Sequence, residues 1–271
     1  MSTPLVIAVT FDGSFDGFMS VVYACYYEKI VPISILPENQ AQLTLTFESR
    51  HIETNPTHAA KVFSAIREKI SWEAAETIYL AFLSYEEDRF LPLLEYIKFG
   101  FSIGHMVESH HQKDFVRHIR KISRHVGREA HLLRGFCRFA ETKQGIFYCK
   151  VTPKNNVITL LTDHFTQRLH GQSWIIHDQT YNQAAIYNGE SLIITPAPKD
   201  AKIELAENEQ EIQEQWTTFF NALSIKARTN PKLQRQLLPL YFRSNMTEFI
   251  VNEERKRKDF GTHSQSLETR H

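Results

Sequence analysis

Four acidic or imidazole side chains stand where a proton could be exchanged: Asp12 two residues before Ser14, His131 in an arginine-rich run, His164 directly after Asp163, and Asp178 directly after His177. A carboxylate or imidazole beside a hydroxyl or a second titratable group has the composition of acid-base chemistry. The same adjacency is common by chance, and an Asp in a turn or a His at a helix end usually does structural work. Ser14 lies in no GxSxG elbow and no HExxH occurs. His111, His118 and His125 are spaced by two helical turns, about ten ångströms apart, so one ion cannot bridge neighbouring members of the series. Cys25, Cys137 and Cys149 lack the paired spacing of a zinc or iron–sulfur site and read as free thiols. No metal and no cofactor is expected.

The second kind of chemistry is electrostatic. The formal charge is zero, but eight Lys or Arg against two acids lie between Lys113 and Arg138, and five acids with no base lie between Glu204 and Glu214. Segregated charge builds a local field that a net value hides. On a helix over Met106–Val126, Phe115, Ile119, Ile122 and Val126 form an apolar face and Lys113, Arg117, Arg120, Lys121 and Arg124 the remainder, a pattern equally suited to a solvated surface. The run continues through Arg128, Arg134 and Arg138 beside Phe136 and Phe139, and arginine next to aromatics suits phosphate contact and base stacking. At least one of those two phenylalanines is expected in the core. A second basic element, Ser224–Tyr241, has no acid; Arg228, Asn230, Gln234 and Arg235 could grip a nucleic-acid backbone or base edge. Its leucines, Leu233, Leu237, Leu238 and Leu240, imply that one side packs inward.

These groups must be positioned by a mixed set of elements. Leu5–Thr10 reads as a buried strand, followed by the turn Asp12-Gly13-Ser14 and a helix with Asp16 as its N-cap. Leu43–Phe47 alternates as a second strand, and from Thr57 to about His125 the periodicity is helical, with Ser71 as one N-cap and Pro92 in a first turn. Gly135–Ala140 and Gly145–Val151 pattern as a hairpin, Val157–Leu169 as a helix, and Trp174–Asp178, Ala184–Tyr187 and Ser191–Thr195 as three strands. Glu209–Leu223 and Pro231–Leu238 read as helices, the latter capped by Asn230. The fold class is α+β, an antiparallel sheet built from hairpin, helix and strands, with a mainly helical N-terminal half and C-terminal helices. The expected divisions are 1–126, 127–250 and a flexible tail 251–271. There is no signal-peptide pattern and no apolar run of about eighteen residues, so no membrane contact is expected and the chain reads as cytoplasmic.

Phe11-Asp12-Gly13-Ser14-Phe15-Asp16-Gly17-Phe18, Glu129-Ala130-His131 through Arg134-Gly135-Phe136 and Arg138-Phe139, Asp163-His164-Phe165 with Arg168, Trp174-Ile175-Ile176-His177-Asp178, and Asn230 through Gln236 together resemble an uncharacterised bacterial family assigned to DNA metabolism and repair. The resemblance runs from about Val6 to Tyr241. It implies a companion of a radical S-adenosylmethionine protein similar to spore photoproduct lyase, and kinship with a domain fused to uracil-DNA glycosylases of the UdgX type. The chain has no cysteine triplet for a radical iron–sulfur cluster. The resulting expectation is a non-catalytic DNA-binding accessory that uses Arg134, Arg138, Arg168, Arg228 and Arg235 for phosphates, with Phe136 or Trp174 for a base. The alternatives are a nucleic-acid-processing enzyme using Asp12, His131, His164 or Asp178, and a protein–protein interaction subunit.

Overall fold

The computed structural model describes residues 5–43, 49–223 and 230–252. The chain divides into two compact units, Met1–Arg128 and Glu129–His271.

Unit 1 is built on a three-stranded parallel sheet in the order β2-β1-β3, formed by β1 (Leu5–Phe11), β2 (Ile30–Pro37) and β3 (Ser49–His51). The apolar run of β1 buries Ile7, Ala8, Val9 and Phe11, as expected of a central parallel strand covered on both faces. Helices α1 (Phe15–Tyr27), α2 (Pro56–Lys69), α3 (Trp72–Phe82) and α4 (Phe90–Ile103) supply the rest of the core, where the rings of Phe11, Phe18, Phe82 and Phe90 cluster edge-on and tilted. The N-cap of α1 is Ser14, whose hydroxyl accepts from the Gly17 amide, rather than Asp16; Ser14 comes first after the turn and has the required extended backbone. Ser71 caps α3, as its type and position predict.

The proposed Met106–Val126 helix is divided. Gly104–Ser109 forms a 3-10 turn, and α5 (Asp114–Phe136) begins after it and runs from unit 1 into unit 2. Helix α5 also absorbs the segment Gly135–Phe136 expected in a hairpin. Its buried stripe, Val116, Ile119, Ile122, Val126, Ala130 and Leu133, keeps helical spacing past Gly127, and that packing overrides the weak helix propensity of the glycine.

Unit 2 holds a five-stranded sheet in the order β4-β5-β6-β7-β8: β4 (Ala140–Glu141), β5 (Phe147–Val151), β6 (Trp174–Asp178), β7 (Gln183–Tyr187) and β8 (Leu192–Pro196). All neighbours are antiparallel except β5 and β6, which run parallel because α6 (Ile158–Arg168) carries the chain back between them. Helices α7 (Glu209–Leu223), α8 (Pro231–Leu237), capped by Asn230, and α9 (Leu240–Arg243) follow, and residues 247–252 are helical as well. The fold is α+β with a largely antiparallel sheet, a helical N-terminal half and C-terminal helices. The expected strand at Leu43–Phe47 and the tail beyond Asn252 fall mainly outside the described residues.

Candidate nucleic-acid interface

The last turns of α5 and the length of α6 place four of the singled-out residues on unit 2. His131 and Arg134 are exposed on α5, one turn apart. The Arg134 guanidinium donates to the carbonyl of Leu160 at 3.0 Å, which fixes the arginine against the first turn of α6. His164 and Arg168 lie one turn apart on α6, and Arg168 is exposed. Burial, then the nearby charges of Arg134 and Arg168, hold the His164 imidazole below its ordinary pKa. Arg134 rests on Leu160, one turn before His164, and Arg168 stands one turn after it, so both arginines lie on the α6 side that carries the imidazole. Among the described residues neither arginine has a carboxylate within salt-bridge reach.

Other motif residues do structural work. Glu129 is buried, and its carboxylate accepts from the Lys154 and Asn155 amides, both at 2.9 Å, from the Asn155 side chain at 2.6 Å and from the Tyr241 hydroxyl at 3.1 Å. It fastens the loop after β5. Asp178 has no exposed surface; its carboxylate accepts from the Thr180 and Tyr181 amides at 2.9 and 3.2 Å and from Gln183 at 3.3 Å, closing the β6–β7 turn. Burial raises its pKa, and those hydrogen bonds offset this only in part. The adjacent His177 is buried as well, its Nδ1 at 2.7 Å from the Tyr148 hydroxyl, and burial followed by the Lys150 charge lowers its pKa.

Asp12 belongs to unit 1. Its carboxylate accepts from the Ser14 amide at 2.9 Å, the Ser14 hydroxyl at 2.7 Å and the Thr54 hydroxyl at 2.7 Å. Burial alone would raise this carboxyl, but the hydrogen bonds outweigh it and hold it below its ordinary value. A Cβ at position 17 would fall 2.1 Å from Asp12 Oδ1, so the Asp12-x-Ser14-x-x-Gly17 spacing is a packing interlock at the start of α1.

Two expected contact residues are corrected. Trp174 has no exposed surface and packs on Tyr187 at 5.5 Å between ring centres; β6 is the central strand of the sheet, and this position faces the core. Arg138 is engaged in a two-pronged ion pair, Nη2 and Nε at 2.8 and 3.2 Å from the fully buried Glu248 carboxylate, which also accepts from Trp216. Burial would raise the Glu248 pKa, but Arg138 and Trp216 bring it below the ordinary value. Phe136 and Phe139 are both half-buried, against Phe242 and Phe165.

On the basic face of α5 two arginines are paired, while Lys121, Arg124 and Arg128 are exposed and have no carboxylate partner among the described residues. Arg117 pairs with Asp114, and Arg120 holds Glu108, which in turn accepts from Tyr96. Asn230 caps α8, Gln234 accepts from Arg243 at 3.3 Å, and Arg235 is exposed; Arg228 lies outside the described residues. Leu233 and Leu237 of α8 and Leu240 at the start of α9 are roughly half exposed instead of packed inward, while Leu238 is half-buried.

Two groupings escaped the spacing rules because they form across elements. Glu86, Asp88 and His118 place their ligand atoms within 4.8 Å of one another, with His118 Nε2 3.6 Å from Glu86, and are the grouping among the described residues that could hold a metal ion. Cys137 is brought to Cys149; their hydrogen bond, then burial, raises the Cys137 thiol well above its ordinary pKa. Among the described residues, no helix is long and apolar enough to cross a membrane.

An α+β protein whose second unit carries basic side chains with no carboxylate partner among the described residues is the class these observations define. The chain belongs to DUF4130, a domain family of unknown function, which matches residues 87–248. No curated protein matches the sequence.

Proposed function

We propose that this chain is a DNA-binding accessory of DNA metabolism or repair, which holds a damaged or single strand against His131, Arg134, His164 and Arg168. In this reading the covalent chemistry belongs to a partner enzyme of the radical S-adenosylmethionine class, as the family resemblance implies. The observation that carries the reading is the pair of exposed arginines, without a carboxylate partner among the described residues and flanking an imidazole whose protonation they disfavour. Such a surface attracts phosphate oxygens without first having to break an internal ion pair. An acid-base enzyme finds less support. Asp12 lies in the other unit with its carboxylate committed to Ser14 and Thr54, and Asp178 has no surface with which to meet a substrate.

Fluorescence anisotropy of a labelled single strand against rising salt tests the proposal. Removing two phosphate contacts in an Arg134→Ala/Arg168→Ala variant should flatten the log K against log salt slope by about 1.4. The advantage of the wild type should therefore shrink about sevenfold between 50 and 200 mM salt. Absence of binding at about 50 mM salt, where phosphate contacts are strong, would sink the idea.

A second reading, a protein-interaction subunit, is favoured by α7. Ile212, Trp216, Phe219 and Leu223 recur at helical spacing and are 45%, 40%, 56% and 64% exposed, an apolar stripe of the kind that marks a protein interface. Capture of a protein that survives nuclease and is lost in Phe219→Asp, without DNA affinity, would select it.

A further inference from the structure

Unit 1 contains a feature that the surface on unit 2 does not explain. A cavity of about 240 Å³ opens between α1, α2 and α4, with Val22, Val62 and Ile97 among its apolar lining. Its remaining lining includes Tyr23, Tyr26 and Tyr27 from α1, Lys61 and Lys69 from α2, and Lys98 from α4. The aromatic side is a ladder that starts on half-buried rings: His58 stacks on Tyr23 at 3.8 Å and 8°, and Tyr23 lies 4.3 Å from Tyr27. It ends on exposed rings, since Tyr27 is 54% and Tyr26 68% exposed.

The charges round this cavity are of one sign. Lys61, Lys69 and Lys98 are exposed, and none of them pairs with a carboxylate among the described residues. The nearby acid Glu28 is already paired with Arg50 at 2.5 Å. The Lys61 ammonium sits 5.0 and 5.7 Å from the Tyr27 and Tyr23 ring centres, so its attraction is spent on ring faces rather than on an acid. Three ammonium groups round one mouth repel each other, and an anion placed among them relieves that repulsion. Exposed tyrosine faces at the same mouth offer a planar ring a stacking surface. The volume lies below the range of pockets for drug-sized ligands, and so fits a single planar group rather than a larger molecule.

We infer that this cavity binds a nucleotide, its base stacked on the Tyr26/Tyr27 end of the ladder and its phosphate held by Lys61, Lys69 and Lys98. The nucleotide is either a free mononucleotide or one unit of a DNA strand. The inference stands independently of the α5–α6 surface.

Calorimetric titration of the full chain with dAMP, adenosine, inorganic phosphate and a dT oligonucleotide decides it. Saturable dAMP binding is expected, with adenosine and phosphate each weaker by about tenfold or more, the scale of one lost stacking or charge contact. Lys61→Gln/Lys98→Gln and, separately, Tyr27→Ala should each weaken dAMP by about tenfold, with a cooperative thermal unfolding transition retained in each variant. If the oligonucleotide binds and dAMP does not, the same losses on the oligonucleotide identify a strand as the source. Arg134→Ala/Arg168→Ala should leave dAMP binding untouched, which separates this site from the unit 2 surface. The inference is overturned if no ligand binds, or if the lysine and tyrosine variants bind dAMP and oligonucleotide as the wild type does.

Discussion

Glu129→Gln tests whether the acids of the family motifs are fasteners or reagents. The wild-type Oε1 accepts from the Lys154 amide and the Tyr241 hydroxyl, and Oε2 accepts both from the Asn155 amide and from its side chain. A glutamine amide must put an NH2 where one of these oxygens was. If it replaces Oε1, Tyr241 can turn its hydroxyl and accept, but the Lys154 amide is stranded. If it replaces Oε2, the Asn155 side chain can flip and accept, but the Asn155 amide is stranded. Either way one backbone donor loses its partner, at about 1–3 kcal/mol, and the bonds that remain lose their charge assistance. Lys154 is exposed and can recruit water, whereas Asn155 is buried, so the first arrangement is preferred and the total is about 2 kcal/mol. Glu129→Ala strands both amides and should lose about 4 kcal/mol. Urea denaturation followed by tryptophan fluorescence reads this out through Trp174, buried in the same unit. A 2 kcal/mol loss should move the midpoint by about 1 M. A Glu129→Gln variant with a wild-type midpoint that nevertheless failed to bind DNA would refute the reasoning, because it would make Glu129 a contact residue.

Arg138→Ala leaves the Glu248 carboxylate buried without its cation and should destabilise unit 2 by about 3–5 kcal/mol while leaving the salt dependence of DNA binding unchanged. A flattened salt slope in that variant would return Arg138 to the contact surface. Gly17→Ala drives a methyl against the Asp12 carboxylate and should destabilise unit 1, detectable by thermal melting; a melting temperature equal to wild type would show that the interlock can relax. His164 titrates below its ordinary value near 6.5, so the unfolded chain takes up this proton first. Stability from this group is therefore complete above that value and declines as pH falls towards the folded pKa. A bound phosphate reverses the preference by favouring the imidazolium, so DNA affinity should rise as pH is lowered through the same window. Anisotropy of His164→Gln should show a smaller rise than wild type, since His131 remains, and an unchanged pH profile would remove His164 from the interface.

Elements whose signals are local were legible in the sequence. Strands β6, β7 and β8 fall within a residue or two of their alternating patterns, and the caps at Ser71 and Asn230 follow from residue type. Strand β2 was not legible because Pro32 and Pro37 argue against a strand; it lies at the edge of its sheet, where a missing amide donor is tolerated. The parallel pairing of β5 and β6 depends on where α6 returns the chain, which no pattern within either strand encodes. The same division governs the site. Arg134 and Arg168 stay exposed with His164 half-buried beside them, whereas Arg138, four residues after Arg134, meets an acid 110 residues later and is held half-buried in that ion pair. Charge in the sequence thus marks positions that could make contact, and distant partners decide which remain available. Arg134 is distinguished from Arg138 by a single fact of tertiary structure: its guanidinium rests on the Leu160 carbonyl, a neutral partner that orients the charge without cancelling it, so the field still reaches solvent.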